Sequence, residues 1–428
     1  MFALVDANAM YVSCERSFNP ALIGKPVIVL SNRDGCVVAR SDEAKILGIK
    51  MGQPFFETQE LREQHDIAVF SSNYTLYGDM SSRLMSLLNQ FVEDVEVYSI
   101  DEAFLQVDGY QGLYPTFQGL GESIRKTVSQ WLRIPVCVGF GATKTLAKLA
   151  NRIAKKRPEL GGICVIDSVE TANEILSSFK VEDLWGIGYR YARMLKKHGI
   201  ETAAQLRNAN DDWVQQVMTI NGLRLVHELR GMPCRMLEVN APPKKTICAA
   251  PSFGKMIPDF RQIQDALTNH LCRAGEKLRR QDSLCGSITV FIHTNRFRKT
   301  PGRPDLPSKQ YSNSRSVDLP HPTSSTPELL RYAMEVLKSI YAPGYQYQKV
   351  GLILSDLVHG DYRQKGVFSE GPDERLIKLA KVIDRINHRH GQDKLRLASQ
   401  LYNPEWPMKQ SYLSKRYTTN WKEILQVK

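Results

Sequence analysis

The run Val95-Glu96-Val97-Tyr98-Ser99-Ile100-Asp101-Glu102-Ala103-Phe104-Leu105 reads as a buried strand, yet it carries two adjacent carboxylates. Each charge among apolar neighbours faces a desolvation cost of roughly several kcal/mol unless something compensates it. Their mutual repulsion adds to that cost. Two outcomes are open: the acids sit at a strand end, hydrated or paired with lysine, or a divalent cation takes their oxygens and removes both penalties. Adjacent strand residues point to opposite faces, so joint use of Asp101 and Glu102 requires the strand to end, bend or bulge there. A third acid has a similar setting. Phe2-Ala3-Leu4-Val5 ends at Asp6, just before the helix-like Met10-Tyr11-Val12-Ser13-Cys14-Glu15.

At about 150 residues per domain, 428 residues suggest two to four domains. The net charge of +12 points to a polyanionic partner, nucleic acid or an acidic surface. Charge is unevenly placed: residues 242–355 hold seventeen Lys and Arg against eight Asp and Glu. The stretch from Arg296-Phe297-Arg298-Lys299 through Arg303, Lys309, Tyr311 and Arg315 mixes cations with aromatics, which suits a surface that tracks phosphates. No apolar stretch reaches the ~18 residues of a membrane span. Asp6 and the lack of a basic leader argue against a secretory signal. The eight cysteines form no C-x-x-C pair, which argues against a zinc site or a disulfide framework and for reduced cytosolic thiols. His388-Arg389-His390 lacks nearby Cys or acid ligands and reads as solvated surface.

Residues 1–170 alternate strand-like runs (Pro26–Leu30, Val136–Phe140) with helical patterns (Asp79–Phe91, Gly121–Leu132). Residues 171–233 turn helical, 234–246 read as a linker, 247–355 return to mixed strand and helix, and a polar tail spans 356–428. In the helix Thr143–Lys155, Lys144, Lys148, Asn151 and Lys155 share one stripe, with Leu146, Leu149, Ala150 and Ile153 opposite. That stripe suits a triphosphate or a DNA strand, or is simply a solvated face. Gly139-Phe140-Gly141-Ala142-Thr143-Lys144-Thr145 is not a P-loop, because Thr143 stands where glycine is needed. Leu184-Trp185-Gly186-Ile187-Gly188 followed by Tyr189–His198 has the outline of a helix-hairpin-helix, whose turn offers backbone N–H groups to a DNA phosphate. Three acids, a basic helix and DNA-suited modules converge on two-metal phosphoryl transfer.

Val5-Asp6 to Tyr11, Gly24-Lys25-Pro26-Val27, Glu43-Ala44-Lys45 with Gly48–Gly52, Tyr98–Ala103, Lys144–Lys155 and Gly186-Ile187-Gly188 together resemble Y-family translesion DNA polymerases. Ser31–Cys36 and the ending Leu413–Thr419 are similar to the UmuC-type branch. The resemblance implies an α+β multidomain, right-handed polymerase. Its ferredoxin-like palm and small fingers would lie in 1–170 (fingers about 20–75), with a helical thumb carrying the helix-hairpin-helix in 171–233. An α/β little finger would occupy 247–355, with a C-terminal tail for partner contacts at 356–428.

By position, Asp6, Asp101 and Glu102 would ligate two Mg²⁺ with the Ala7 carbonyl, and Lys45 and Lys155 would meet the triphosphate. Tyr11 matches the steric gate against a ribose 2′-hydroxyl, unless it is only a packed aromatic. DNA contacts are expected from Gly186, Gly188, Lys244, Lys245, Arg296, Arg298, Lys299 and Arg315. Asp42 departs from the tyrosine common at its position and is excluded from the site. Gln364 and Phe368 fit a sliding-clamp peptide, whereas Lys365 and Gly366 do not. Implied partners are primer-template DNA, dNTPs, a UmuD-type accessory dimer, a RecA-type recombinase filament and the clamp, in a bacterial, nucleoid-associated cytoplasmic setting. A self-sufficient DinB-type polymerase, an inactive DNA-binding repair scaffold and a metal-dependent nuclease stay open as alternatives.

Overall fold

The computed structural model describes residues 1–110, 112–240, 242–300, 303–361, 374–391, 393–400, 404 and 406–426. Two compact units emerge: Met1–Ser31, Gly35–Ala241 and Tyr412–Lys428 form the first, Asn32–Asp34 and Pro242–Ser411 the second. Both combine helices with sheets, the α+β class expected.

In the first unit the chain runs through β1 (Phe2–Ala7), α1 (Met10–Phe18), β2 (Val27–Leu30), β3 (Val37–Arg40), α2 (Asp42–Ile46), α3 (Gln59–Gln64), β4 (Ala68–Ser71) and α4 (Tyr74–Leu88). It continues through β5 (Val95–Val97), β6 (Glu102–Gln106), α5 (Phe117–Leu132), β7 (Val136–Gly141), α6 (Lys144–Lys156) and β8 (Ile163–Ile166). The main sheet has the order β5-β6-β1-β7-β8, with β1 antiparallel to both neighbours. A smaller sheet has the order β3-β2-β4.

All six residues of β1 are buried, as a central strand covered on both faces requires. Period-two alternation sends Ala3 and Val5 to a core shared with Met80, Leu84 and Ile124. Phe2 and Leu4 go to the other face, where they pack with Phe104, Ala147 and Trp185. Gly139 and Gly141 of β7 let α6 lie directly on the sheet: a Cβ on Gly139 would come within 2.1 Å of the Asn151 backbone nitrogen. Close helix-on-strand packing thus accounts for a glycine pair that has the outline of a phosphate loop. Four helices follow, α7 (Val169–Ser178), α8 (Tyr189–Lys197), α9 (Ala203–Arg207) and α10 (Asp211–Leu229). They close over Leu176, Val181, Leu195, Leu206, Val214 and Leu225.

The second unit comprises β9 (Ile247–Ala249), α11 (Phe260–Arg280), β10 (Ser283–Thr294), β11 (Lys299–Thr300), β12 (Arg303–Pro307), β13 (Ser312–Thr323), α12 (Thr326–Ile340), β14 (Tyr347–His359) and α13 (Glu374–His390). Its four-stranded antiparallel sheet, β13-β10-β14-β9, packs against α11 and α12. Residues 356–428, read from the sequence as a polar tail, contain ordered structure. In α13 the residues Leu376, Leu379, Ala380, Ile383 and Ile386 recur at helical spacing, and Asp384 pairs with the buried Arg279 at 2.6 Å. The polar composition around that stripe hid it. His388 and His390 lie exposed at the end of α13, as expected of solvated surface.

His270 of α11 is buried against Trp406, its Nε2 lacks a hydrogen-bond partner among the described residues, and burial pushes its pKa down to about 4. Between the ordinary value near 6.5 and 4 the unfolded chain therefore binds a proton that the folded chain does not, so stability falls as pH drops through that window. Chemical denaturation of wild type and His270→Gln from pH 7.5 to 4 is expected to show an acid loss larger in wild type by about 2 kcal/mol. Parallel curves would remove His270 as the cause.

Candidate active site

The geometric demand made by two adjacent acids is met by where β6 begins. Glu102 is its first residue, and Asp101 lies in the bend before it. Ser99 shapes that bend: its Oγ accepts from the Asp101 and Glu102 N–H groups at 3.2 and 3.0 Å, and donates to Asp101 Oδ1. The Asp101 carbonyl accepts from Ala7 N–H at 2.8 Å, which ties the bend to the end of β1. Asp6 and Glu102 are direct cross-strand partners and project to the α6 face, in register with Leu4 and Phe104.

There the basic stripe of α6 meets them. Lys155 Nζ lies 2.5 Å from Asp6, and Lys148 Nζ lies 2.9 Å from Glu102 while covering the Tyr98 and Trp185 rings. Asn151 is buried and donates to the Leu4 and Cys137 carbonyls, stitching the helix to β1 and β7. Lys144 is also buried, paired with Glu96 and donating to the Met236 carbonyl. The stripe, left open by the sequence between a phosphate- or DNA-facing surface and a solvated face, is engaged in ion pairs: Lys144 with Glu96, Lys148 with Glu102 and Lys155 with Asp6, of which Lys144 is buried and Lys155 exposed. Helical spacing shows which side chains share a face, not what packs on it. Lys144→Met would leave buried Glu96 without its cation, with only the Glu238 N–H donating to it among the described residues, and urea titration is expected to show a loss of about 3 kcal/mol. An unchanged midpoint would mean that this pair is dispensable.

Asp6, Glu102, Lys148, Asn151, Lys155 and Trp185 line a cleft of about 390 Å³. Burial first, with the charges of Glu102 and Asp101 adding to it, pushes the Asp6 carboxyl up to about 7 against the opposing effect of Lys155. The donors available here, carboxylates and a backbone carbonyl, are the hard oxygens that a Mg²⁺-sized cation takes, and their mutual repulsion is what such a cation relieves. In donor chemistry the residues fit that ion. They are not drawn into a ready-made cage: among the described residues no three His, Cys, Asp or Glu side chains form one. Asp6 and Glu102 hold lysines, the first of the two outcomes left open by the sequence, and Asp101 is turned to Ser99.

Tyr11, half-buried on α1, stacks on Tyr77 with ring centroids 4.5 Å apart and meets Tyr74 edge-on at 6.1 Å. Burial first, then Tyr74 and the nearby Asp101 charge, raise its hydroxyl pKa. Lys45 on α2 pairs with Asp42 at 2.6 Å. Both are exposed, and the acid set aside from the site turns out to hold one of its expected cations.

Gly186, with φ +90°, and Gly188, the N-cap of α8, form the turn expected, anchored by buried Leu184 and Ile187. In the second unit Lys244 and Lys245 are exposed, and Arg296 covers the exposed Phe297 ring. Arg298 is half-buried, Lys299 opens β11, and Arg315 is exposed on the edge strand β13. Gln364 and Phe368 lie outside the described residues. Sequence reasoning missed Lys148 as the partner of Glu102, although it shares the stripe. It also missed Tyr77, Glu15 and Ser414 behind Tyr11. Tyr11 and Glu15 are one helical turn apart, a signal that was available; Ser414 gave none.

Residues 5–152 match the impB/mucB/samB family, 244–367 match the C-terminal domain of that family, and 378–427 match a domain of unknown function, DUF4113. The chain is 39% identical to Protein UmuC of Salmonella typhimurium over the whole of both chains. It is 36% identical to Protein MucB of Escherichia coli over 99% of each, and 28% identical to DNA polymerase IV of Moorella thermoacetica over 91% of this chain and 93% of that one. Among solved structures, a Y-family DNA polymerase chimera of Dbh and Dpo4 superposes with a TM-score of 0.63 at 21% identity, covering 84% of this chain and all of that one. An insertion ternary complex of Dbh DNA polymerase gives 0.55 at 22%, with the same coverage. With family matches over both main segments and 39% identity to Protein UmuC along the full length of both chains, the chain belongs to the impB/mucB/samB family, and its fold is that of the Y-family DNA polymerase structures.

Proposed function

We propose that this chain is a template-directed translesion DNA polymerase, adding dNTPs to a primer 3′-hydroxyl opposite damaged template. The observation that carries the reading is the cross-strand pair Asp6–Glu102, with Asp101 at the mouth of β6, in a cleft closed by Lys148 and Lys155. Asp6, Asp101, Glu102 and the Ala7 carbonyl would hold two Mg²⁺. When bound, these ions supply a lowered pKa for the attacking hydroxyl and neutralise charge on the transferred phosphoryl group.

The chain's own residues do the rest. Lys155, 2.5 Å from Asp6, is placed to exchange a carboxylate for a triphosphate oxygen. Lys45, on exposed α2, would hold the triphosphate from another side. Tyr11 presents a rigid ring, backed by Tyr77, against a ribose 2′-hydroxyl. The Gly186–Gly188 turn offers N–H groups to a DNA phosphate without reading sequence. Lys244, Lys245, Arg296, Arg298, Lys299 and Arg315 supply charge for the duplex backbone. We further propose a UmuD-type dimer and a recombinase filament as partners, with clamp contact through Gln364 and Phe368, in the bacterial cytoplasm at the nucleoid.

Primer extension across a damaged template base, with dNTPs and Mg²⁺, tests this reading. Bypass that depends on an added UmuD-type dimer is expected. Equal bypass by the chain alone would favour a self-sufficient, DinB-type enzyme.

A further inference from the structure

Residues 412–417 lie within the stretch that matches a domain of unknown function, yet they pack on the first unit beside the helices that carry the tyrosine wall. Tyr412 and Ser71, at the end of β4, bond reciprocally: Ser71 N–H donates to the Tyr412 carbonyl at 2.9 Å, and Tyr412 N–H donates to Ser71 Oγ at 3.0 Å. Asn73 caps α4 by accepting from Leu76 N–H, and its Nδ2 donates to the Ser414 carbonyl at 3.1 Å and to Ser414 Oγ at 3.0 Å. Ser414 Oγ then donates to Glu15 Oε1 at 2.8 Å, the same oxygen that accepts from the Tyr77 hydroxyl at 2.7 Å. Tyr417 stacks on Phe18 at 4.8 Å.

Glu15 and Tyr77 are both fully enclosed, 2% and 0% exposed. A carboxylate so enclosed needs donors, and among the described residues Tyr77 and Ser414 provide them. The tail therefore fixes Glu15, Glu15 fixes the Tyr77 hydroxyl, and the Tyr77 ring backs Tyr11 at 4.5 Å and 14°. The Tyr77–Glu15 bond is buried and the Ser414–Glu15 bond part-buried, both are short, and the stacked rings are in direct contact, so tilt at one end is transmitted to the other.

We infer that residues 412–417 are a strap that positions the sugar-discriminating ring, with Ser414 and Glu15 acting on Tyr11 through Tyr77. This rests on reading Tyr11 as the steric gate. Ser414 and Glu15 are positioning residues: they act on the ring and touch no substrate. A small displacement of such a wall changes the penalty on a 2′-hydroxyl far more than it changes acceptance of a deoxyribose, which leaves space there.

The test uses the full-length chain with its accessory dimer, measuring kcat/KM for a correct dNTP and for the matching rNTP. Ser414→Ala is expected to lower the dNTP-over-rNTP ratio by about tenfold, mostly through faster rNTP use, and Ser414→Thr to restore it. Amide exchange at Leu76 is expected to quicken in Ser414→Ala, which reports on the wall without catalysis. Tyr11→Ala serves as the control for the gate itself. A collapsed ratio in Tyr11→Ala with an unchanged ratio in Ser414→Ala would overturn the strap alone. An unchanged ratio in Tyr11→Ala would overturn the gate reading and the strap with it. Equal loss of dNTP and rNTP use in Ser414→Ala would reduce the tail to a structural support and overturn the proposal.

Discussion

Replacing Asp101 and Glu102 by alanine is expected to cut primer extension by at least about a thousandfold. The charge that develops on a transferred phosphoryl group is stabilised by several kcal/mol, roughly, through ions held on carboxylates, and each 1.4 kcal/mol or so lost is tenfold in rate. The substitution is well placed for such a test. Both residues sit at the opening of β6 and are only half-buried, and the apolar run from Ala103 to Leu105 that anchors the strand is untouched. Lys148, released from Glu102, keeps its contacts with Tyr98 and Trp185. The folded state should therefore survive, and removal of two like charges beside Asp6 lowers the carboxyl pKa that their repulsion helps to raise. Duplex binding by gel shift is expected to stay within about twofold of wild type, because the basic residues of the second unit are unaltered. A variant that loses both extension and DNA binding would point to misfolding instead, which thermal denaturation would reveal.

The second large effect is expected at Tyr11. Truncation to alanine removes a ring that is held on two sides, by Tyr77 in parallel stacking and by Tyr74 edge-on. A wall so supported excludes one extra hydroxyl by steric overlap, and specificity of this kind is lost when the obstacle is removed. Preference for dNTP over rNTP should fall by about a hundredfold or more, mainly through a rise in rNTP kcat/KM. The half-buried position predicts a simultaneous stability cost of about 1–3 kcal/mol from the space left against Tyr77. Tyr11→Phe keeps the ring and should keep the selectivity. If Tyr11→Ala retains wild-type selectivity, the residue is only a packed aromatic.

Much of this was legible in the chain, for identifiable reasons. The short apolar runs of β1 and β7 are open in the sequence as buried strands, and Thr143 at the N-cap marks the start of α6. Joint use of two adjacent acids required the strand to end, bend or bulge there, and the run is broken between Val97 and Glu102, where β6 begins. Other features could not be read. A helical stripe does not disclose its partner: the position of Lys144 beside Lys148 and Lys155 was visible, but its burial against Glu96 was not. The basic surroundings of α13 concealed its apolar face. The hydrogen bond from Ser414 to Glu15 joins residues 399 positions apart, and no local pattern announces a contact made by a single hydroxyl. Asp42 shows the converse case: its departure from the family pattern was visible, but its pairing with Lys45 was not.

Asp6, Asp101 and Glu102 are proposed to serve template-directed addition of nucleotides. Single-nucleotide incorporation on four templates, differing only in the base next to the primer end, addresses it most directly. Wild type and the Asp101→Ala, Glu102→Ala variant are assayed side by side with Mg²⁺ and the accessory dimer, with and without dNTPs. The account predicts that wild type adds the complementary dNTP on each template and that the variant adds none. Equal addition by the two proteins, or primer shortening by wild type in the absence of dNTPs, would contradict it.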